Sequence, residues 1–263
     1  MEGRGLQVPN IQIEENRLRI NGEQFSSHSI EREIGRGANG IVYLANNHIL
    51  KRQEVVKIWC ASNPKDSRDK KSQAFAEAAK LANAHPEHAV QIFSAGLVGG
   101  IPYATMEYVD GKTLKQKLDE TRDKKLLLGL AGIYLTAIEE TSQANTFHGD
   151  PHWSNVLVYE HQPNKYETSI KVKLCDFGTS IFSGHERSED RHWRLVEECV
   201  LNTTKSFKSF QEAKTELPRF KSQLSEFTSQ SKPDFLDDLH WAKLHTAPLR
   251  DFLDYLSVEL GHA

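Results

Sequence analysis

The stretch IGRGANGIVYLA, residues 34–45, carries three glycines, Gly35, Gly37 and Gly40, at G-x-G-x-x-G spacing, followed by Val42 and further strand-forming residues. Glycine reaches positive φ without steric cost, so the segment serves equally as the tight turn of a hairpin or as a loop whose backbone closes over a phosphate. Ile30–Ile34 leads into it and Gly40–Ala45 leads away, both as strands. The segment alone does not separate the two uses.

Outward from this turn the first part of the chain reads as strands. NRLRINGEQF alternates around Asn21-Gly22, a strong hairpin signal, and places an N-terminal hairpin at about residues 11–27. VVKIW, within Ile49–Cys60, is a β-branched and aromatic strand. The polar run KDSRDKK reads as a solvated turn, and SQAFAEAAKLANA after it as a helix. His85-Pro86 ends that helix, because a residue before proline is driven out of helical geometry. Two more strands, Val90–Leu97 and Pro102–Val109, meet at Gly99-Gly100.

Beyond Val109-Asp110-Gly111 the pattern becomes helical. DGKTLKQKLDE, KKLLLGLAGIYLTAIEETSQA, RHWRLVEECVL, SFQEAKTEL, KPDFLDDLHWAKLH and PLRDFLDYLSVEL read as helices, and LVYE and KVKLCDF as a small strand pair. Segregated strands and helices predict an α+β chain of two lobes, 1–109 and 110–263. The apolar run at residues 126–138 is too short to span a bilayer and reads as a buried helix.

Charged residues make up 26% of the 263-residue chain and the net charge is -3, which argues against an electrostatically driven nucleic-acid binder. Cys60, Cys175 and Cys199 form no disulfide framework or metal spacing. The first residues, MEGRGLQVPN, lack the apolar stretch of a signal peptide. These features predict a cytoplasmic protein with no membrane span.

Four further features follow the glycine turn in order. Lys57 sits among apolar strand residues, pointing either to solvent or under the glycine loop. Glu77 lies on the alanine-rich helix, with Lys80 as a local partner or Lys57 as a distant one. HGDPHWSNVLV, residues 148–158, sets Asp150 and Asn155 in a loop. Asp176 follows an apolar strand and precedes Phe177-Gly178.

Together these features resemble a protein kinase: glycine loop, strand lysine, helix glutamate, H-x-D-x-x-x-x-N, then D-F-G. The spacings agree, with 22 residues from Gly35 to Lys57, 20 from Lys57 to Glu77 and 26 from Asp150 to Asp176. MEYVDGKTL is similar to the hinge of bacterial serine/threonine kinases. The resemblance implies a bilobal kinase-like fold, with ATP and Mg²⁺ as cofactors. Gly35, Gly37, Gly40 and Val42 would cover ATP, Lys57 would contact its α- and β-phosphates and pair with Glu77, and Met106 would be the gatekeeper. The Glu107 carbonyl and Val109 amide would meet adenine. Asn155 and Asp176 would hold the metal, a hard cation that prefers oxygen. Asp150 would orient the acceptor hydroxyl and take its proton.

Two departures bear on the acceptor. Serine/threonine kinases carry a lysine two residues after the catalytic aspartate, where this chain has His152. Free imidazole titrates near 6.5, so a histidine supplies less charge at neutral pH than lysine; it could still donate a hydrogen bond to the γ-phosphate, or instead pack or cap the loop. The HGD loop is also similar to that of aminoglycoside and choline kinases, and its D-P-H element to the ABC1/UbiB kinases. No A-P-E motif follows D-F-G, so the peptide platform is undefined. Asp190 matches the structural aspartate that opens the large helix of the family. Three functions follow: a protein serine/threonine kinase, a small-molecule phosphotransferase, and a nucleotide-binding pseudokinase scaffold. The first takes a protein hydroxyl acceptor and the second a small-molecule one; the oligomeric state is open.

Overall fold

A computed structural model describes residues 10–37, 40–60, 67–142, 148–177, 188–222 and 232–261. The chain folds as two compact units. The first comprises residues 1–82 and 90–109, the second residues 83–89 and 110–263.

The first unit begins with a three-stranded antiparallel sheet, β1 (Ile11–Glu14), β2 (Arg17–Ile20) and β3 (Glu23–Phe25). The expected N-terminal hairpin is therefore one strand richer. Asn21 and Gly22, both at positive φ, make the β2–β3 turn, and positive φ at both central residues is the demand of a two-residue hairpin loop. The main sheet has five strands in the order β4 (His28–Gly37), β5 (Gly40–Asn47), β6 (Arg52–Ile58), β8 (Ile101–Glu107), β7 (Ile92–Val98). Helix α1 (Ser67–Asn83) connects β6 to β7. It starts inside KDSRDKK, so that run is not the expected turn. Its end falls just before His85-Pro86, as the proline requires.

The period-two alternation of β5 and β6 gives the main sheet two different faces. Ile41, Tyr43, Ala45, Val56 and Ile58 pack with Leu18, Ile20 and Phe25 of the small sheet. The opposite face carries Val42, Lys57 and Ala104, which stand side by side in register across β5, β6 and β8. Gly99, at φ +54°, lets the β7–β8 turn approach the small sheet. A Cβ there would lie 2.1 Å from the Ile20 carbonyl oxygen. Asn21 Nδ2 donates to the Gly99 carbonyl (2.8 Å) and the Gly99 amide to Glu23 (2.7 Å), closing that contact.

The second unit has its own sheet of β9 (Gly111–Thr113), β10 (Val156–Asn164) and β11 (Glu167–Leu174), in the order β11-β10-β9. Strand β9 occupies residues expected to be helical. Thr113 and Gln116 then form a reciprocal capping box that opens α2 (Leu114–Glu120). Helix α3 (Lys124–Ser142) contains the apolar run and buries Leu127, Leu130, Tyr134, Leu135 and Ile138. It packs on α4 (Ser188–Thr204) and on α6 (Asp238–Ser257), and α5 (Phe210–Ser222) packs on α6.

Residues 238–257 form one helix where the sequence predicts a break at Pro248. An internal proline removes a backbone hydrogen bond at about 3 kcal/mol. The buried stripe of Trp241, Ala242, Leu249, Phe252, Leu253 and Leu256 runs across that point, and its burial outweighs the lost bond. Thr246 and Arg250 beside the proline both bond Glu139 of α3, at 2.5 Å and 2.8–2.9 Å. The expected KPDF turn of helix is absent; Asp237 caps α6 instead, accepting the His240 amide at 2.7 Å.

Candidate active site

The expected site residues fall into two groups, one in each unit. In the first unit, Gly35 pairs with Val42 and Gly37 with Gly40 across β4 and β5. Ala38 and Asn39 lie outside the described residues. Gly40 has φ +137°, and a Cβ on it would meet the Ile58 carbonyl oxygen at 2.0 Å; only glycine lets β5 lie so close to β6. A Cβ on Gly37 would meet nothing within 4 Å. Gly40 thus answers to the sheet, whereas Gly37 faces open space.

Lys57 and Glu77 are both buried, at 6% and 3% exposure, with Nζ 2.6 Å from Oε1. The second carboxylate oxygen accepts the Trp59 indole N–H at 2.9 Å, and Nζ also stands 5.0 Å from the centre of the Trp59 ring. Desolvating two charges is costly unless each is matched and hydrogen-bonded, and these bonds meet that condition. Lys80 does not displace Lys57 as the close partner. Trp59 was not among the expected site residues. It is two residues beyond Lys57, so strand alternation puts both side chains on one face, a signal the sequence contains. Met106 is buried in β8 opposite Val55. The Glu107 amide bonds the Gln91 carbonyl at 2.8 Å, β8 ends there, and Val109 lies just beyond.

In the second unit, Asp150, His152 and Asn155 form one hydrogen-bonded loop. The His152 amide donates to the Asp150 carbonyl (2.9 Å), and the Asn155 amide to the His152 carbonyl (2.8 Å). Asn155 Nδ2 donates to the Asp150 carbonyl at 3.0 Å, leaving Oδ1 as its acceptor. The Tyr134 hydroxyl of α3, fully buried, donates to the Pro151 carbonyl at 2.5 Å. His152 Nδ1 accepts the Ser154 amide and caps a short 3₁₀ turn, while Nε2 lies 3.5 Å from Asp150 Oδ2.

Asp176 adjoins this loop through the backbone, since the Cys175 amide bonds the Asn155 carbonyl at 2.9 Å. His148 braces the same junction: Nε2 is 3.1 Å from the Cys175 carbonyl and its ring lies 4.3 Å from that of Phe177. Asp176 has φ 61°, uncommon outside glycine, and such outliers collect at functional sites. Gly178 falls outside the described residues.

No sequence feature singles out Arg191. From the first turn of α4, Nη2 reaches Asp150 Oδ1 at 3.1 Å. The next residue, His192, accepts the Gly149 amide through Nδ1 at 3.3 Å. Partial burial pushes the Asp150 pKa up, but hydrogen bonds and charge from His152 and Arg191 outweigh it and hold the carboxyl below its ordinary value.

Residues 28–206 match the family model described as protein kinase domain. A probable serine/threonine-protein kinase of Clostridium acetobutylicum is 37% identical over 155 residues, covering 57% of this chain and 22% of that protein. The serine/threonine-protein kinase PrkC of Bacillus subtilis is 31% identical over 162 residues, covering 60% and 23%. The chain therefore spans about a quarter of the length of the curated relatives it matches. Among solved structures, a double mutant of the Mycobacterium tuberculosis PknI kinase domain superposes with TM-score 0.59 at 18% identity, covering 90% of this chain and 97% of that one. That likeness concerns the fold.

Proposed function

Because this chain belongs to the protein kinase family, we propose that it is an ATP- and Mg²⁺-dependent kinase acting on protein serine or threonine hydroxyls. The observation that carries the proposal is the buried Lys57–Glu77 pair. It lies on the sheet face that does not pack against the small sheet, beside Val42 and Ala104. A buried ion pair contributes little to stability compared with apolar packing, whereas a fixed cation is what a triphosphate requires.

The residues fit the implied cofactors. Asn155 Oδ1 and the Asp176 carboxylate are hard oxygen donors suited to Mg²⁺. Bound there, the metal would supply neutralisation of the triphosphate charge. Lys57, held by Glu77 and Trp59, would bind the α- and β-phosphates without having to reorganise. Asp150 would orient the acceptor hydroxyl and take its proton, kept ionised by Arg191. Tyr134 would hold the loop that carries this aspartate. Phosphoryl transfer is mainly positioning and charge neutralisation, and these residues supply both.

His152 supports a second reading. It caps its own loop where protein kinases place a lysine, so a small-molecule hydroxyl remains an alternative acceptor. Incubation with γ-labelled ATP and Mg²⁺, wild type beside Asp150→Ala, tests both. Label in protein bands lost in the variant supports the first; label confined to a small molecule supports the second. ATP binding without any turnover would return the chain to a scaffold role.

A further inference from the structure

We propose that His85, His88 and Glu140 form a site for one divalent transition-metal ion of the Zn²⁺ type, separate from the kinase residues. The three residues belong to the second unit. His85 and His88 sit in the turn after α1, and Glu140 lies on α3. Their ligating atoms all lie within 4.8 Å of one another. His88 Nε2 is 2.7 Å from Glu140 Oε2, and the two imidazole rings are 5.2 Å apart.

The turn is built before any ion arrives. The His88 and Ala89 amides both bond the His85 carbonyl, at 3.0 and 2.9 Å. Strand β11 fixes it from outside: the Leu174 amide bonds the His88 carbonyl (2.8 Å), and Lys173 Nζ bonds the Pro86 carbonyl (3.0 Å). Lys171 pairs with Glu87 at 2.5 Å. The Glu87 amide donates to His85 Nδ1 at 3.3 Å; ligation through Nε2 places the ring proton on Nδ1, so this long contact gives way when the ion binds. On α3, Glu139 bonds Arg250 and Thr246 of α6, which anchors the helix beside Glu140.

Two imidazoles and one carboxylate are a zinc donor set, with a tetrahedral fourth position left for water. Metal–ligand bonds of about 2.0–2.2 Å require the donors to sit a little more than 3 Å apart. The His88–Glu140 contact must open slightly and His85 must close slightly, both within side-chain reach. Imidazole ligands select transition metals over Mg²⁺ and Ca²⁺. The bound ion would clamp the turn that ends α1 to α3.

The test is calorimetric titration of the metal-free full chain with ZnCl₂ in Mg²⁺-free buffer. One equivalent should bind with a Kd in the micromolar range or below, and the thermal midpoint should rise. His85→Ala, His88→Ala and Glu140→Gln should each weaken binding at least 10-fold, and the exposed control His48→Ala should not. Co²⁺ added to wild type should give the visible absorption of a tetrahedral site, which needs no variant to fold. Absence of saturable binding, a featureless Co²⁺ spectrum, or affinity unchanged in the three variants would each overturn the proposal and leave a plain histidine–glutamate hydrogen bond.

Discussion

Arg191 Nη2 stands 3.1 Å from Asp150 Oδ1, so the first turn of α4 sets a permanent cation against the carboxylate of the HGD loop. Together with His152 it holds the Asp150 pKa below its usual value despite partial burial. Arg191→Ala removes one of the two opposing charges and raises that pKa. As the proposed base, Asp150 would act only above its pKa, so the acidic limb of the pH–rate profile should move to higher pH. Arg191→Lys should restore most of the shift. An unmoved limb in Arg191→Ala would show that the arginine does not tune the aspartate.

Glu77→Gln removes the buried carboxylate charge that Lys57 Nζ meets at 2.6 Å. Breaking one side of such a pair costs about 3–5 kcal/mol, visible as a lower midpoint in urea unfolding. Lys57→Met in turn strips the buried Glu77 carboxylate of the ammonium it meets at 2.6 Å, so its unfolding midpoint should fall by a comparable amount. Its turnover with γ-labelled ATP should fall by about 10²-fold or more. The double variant Glu77→Gln/Lys57→Met, which removes both charges, should regain most of the lost stability without regaining turnover.

Gly99 and Gly100 both have positive φ, yet their neighbours differ. Ala at 99 would drive a Cβ into the Ile20 carbonyl, whereas Ala at 100 meets nothing within 4 Å. Gly100→Ala should cost only the left-handed penalty, about 1–2 kcal/mol. Gly99→Ala should cost more, roughly 3 kcal/mol or above, because the small sheet must also move. Paired thermal or urea unfolding of the two variants checks the difference.

His245 stacks on Trp193 (4.3 Å, 1° between planes) and meets Trp241 edge-on. Burial lowers its pKa from 6.5 to about 4, against an opposing pull from Glu189 and Asp190. Below pH 6.5 the unfolded chain takes up a proton here that the folded chain refuses until about pH 4. Stability is therefore full above the unfolded pKa and declines as pH falls through this window, by about 2 kcal/mol between pH 7 and pH 5. His245→Phe should flatten that part of the curve in urea unfolding at the two pH values.

Much of the fold was legible because its signals are local. Asn21-Gly22 and Gly99-Gly100 announce turns, the alternation of VVKIW announces a strand, and His85-Pro86 ends a helix. The errors came where tertiary burial overrode local preference. Pro248 should stop a helix, but an apolar stripe on both sides carries α6 through it. Gly111–Thr113 pairs with β10 because its partner strand lies more than forty residues away in sequence, beyond any local window. The site divides the same way. Lys57, Glu77, Asp150, Asn155 and Asp176 stand out by type and order, and the structure brings Lys57 to Glu77 and Asp150 to Asn155. Arg191 was invisible, since nothing in an amphipathic helix marks which arginine will turn toward a loop forty-one residues earlier.

The family match begins at His28, but the fold does not. Leu18, Ile20 and Phe25 are 0–6% exposed and shield Ile41, Tyr43, Val56 and Ile58 from water. A chain trimmed to the family boundary would bare a continuous greasy strip along β5 and β6, a surface that drives self-association. Strands β1–β3, which lie outside the family boundary, are therefore part of what keeps that sheet face covered.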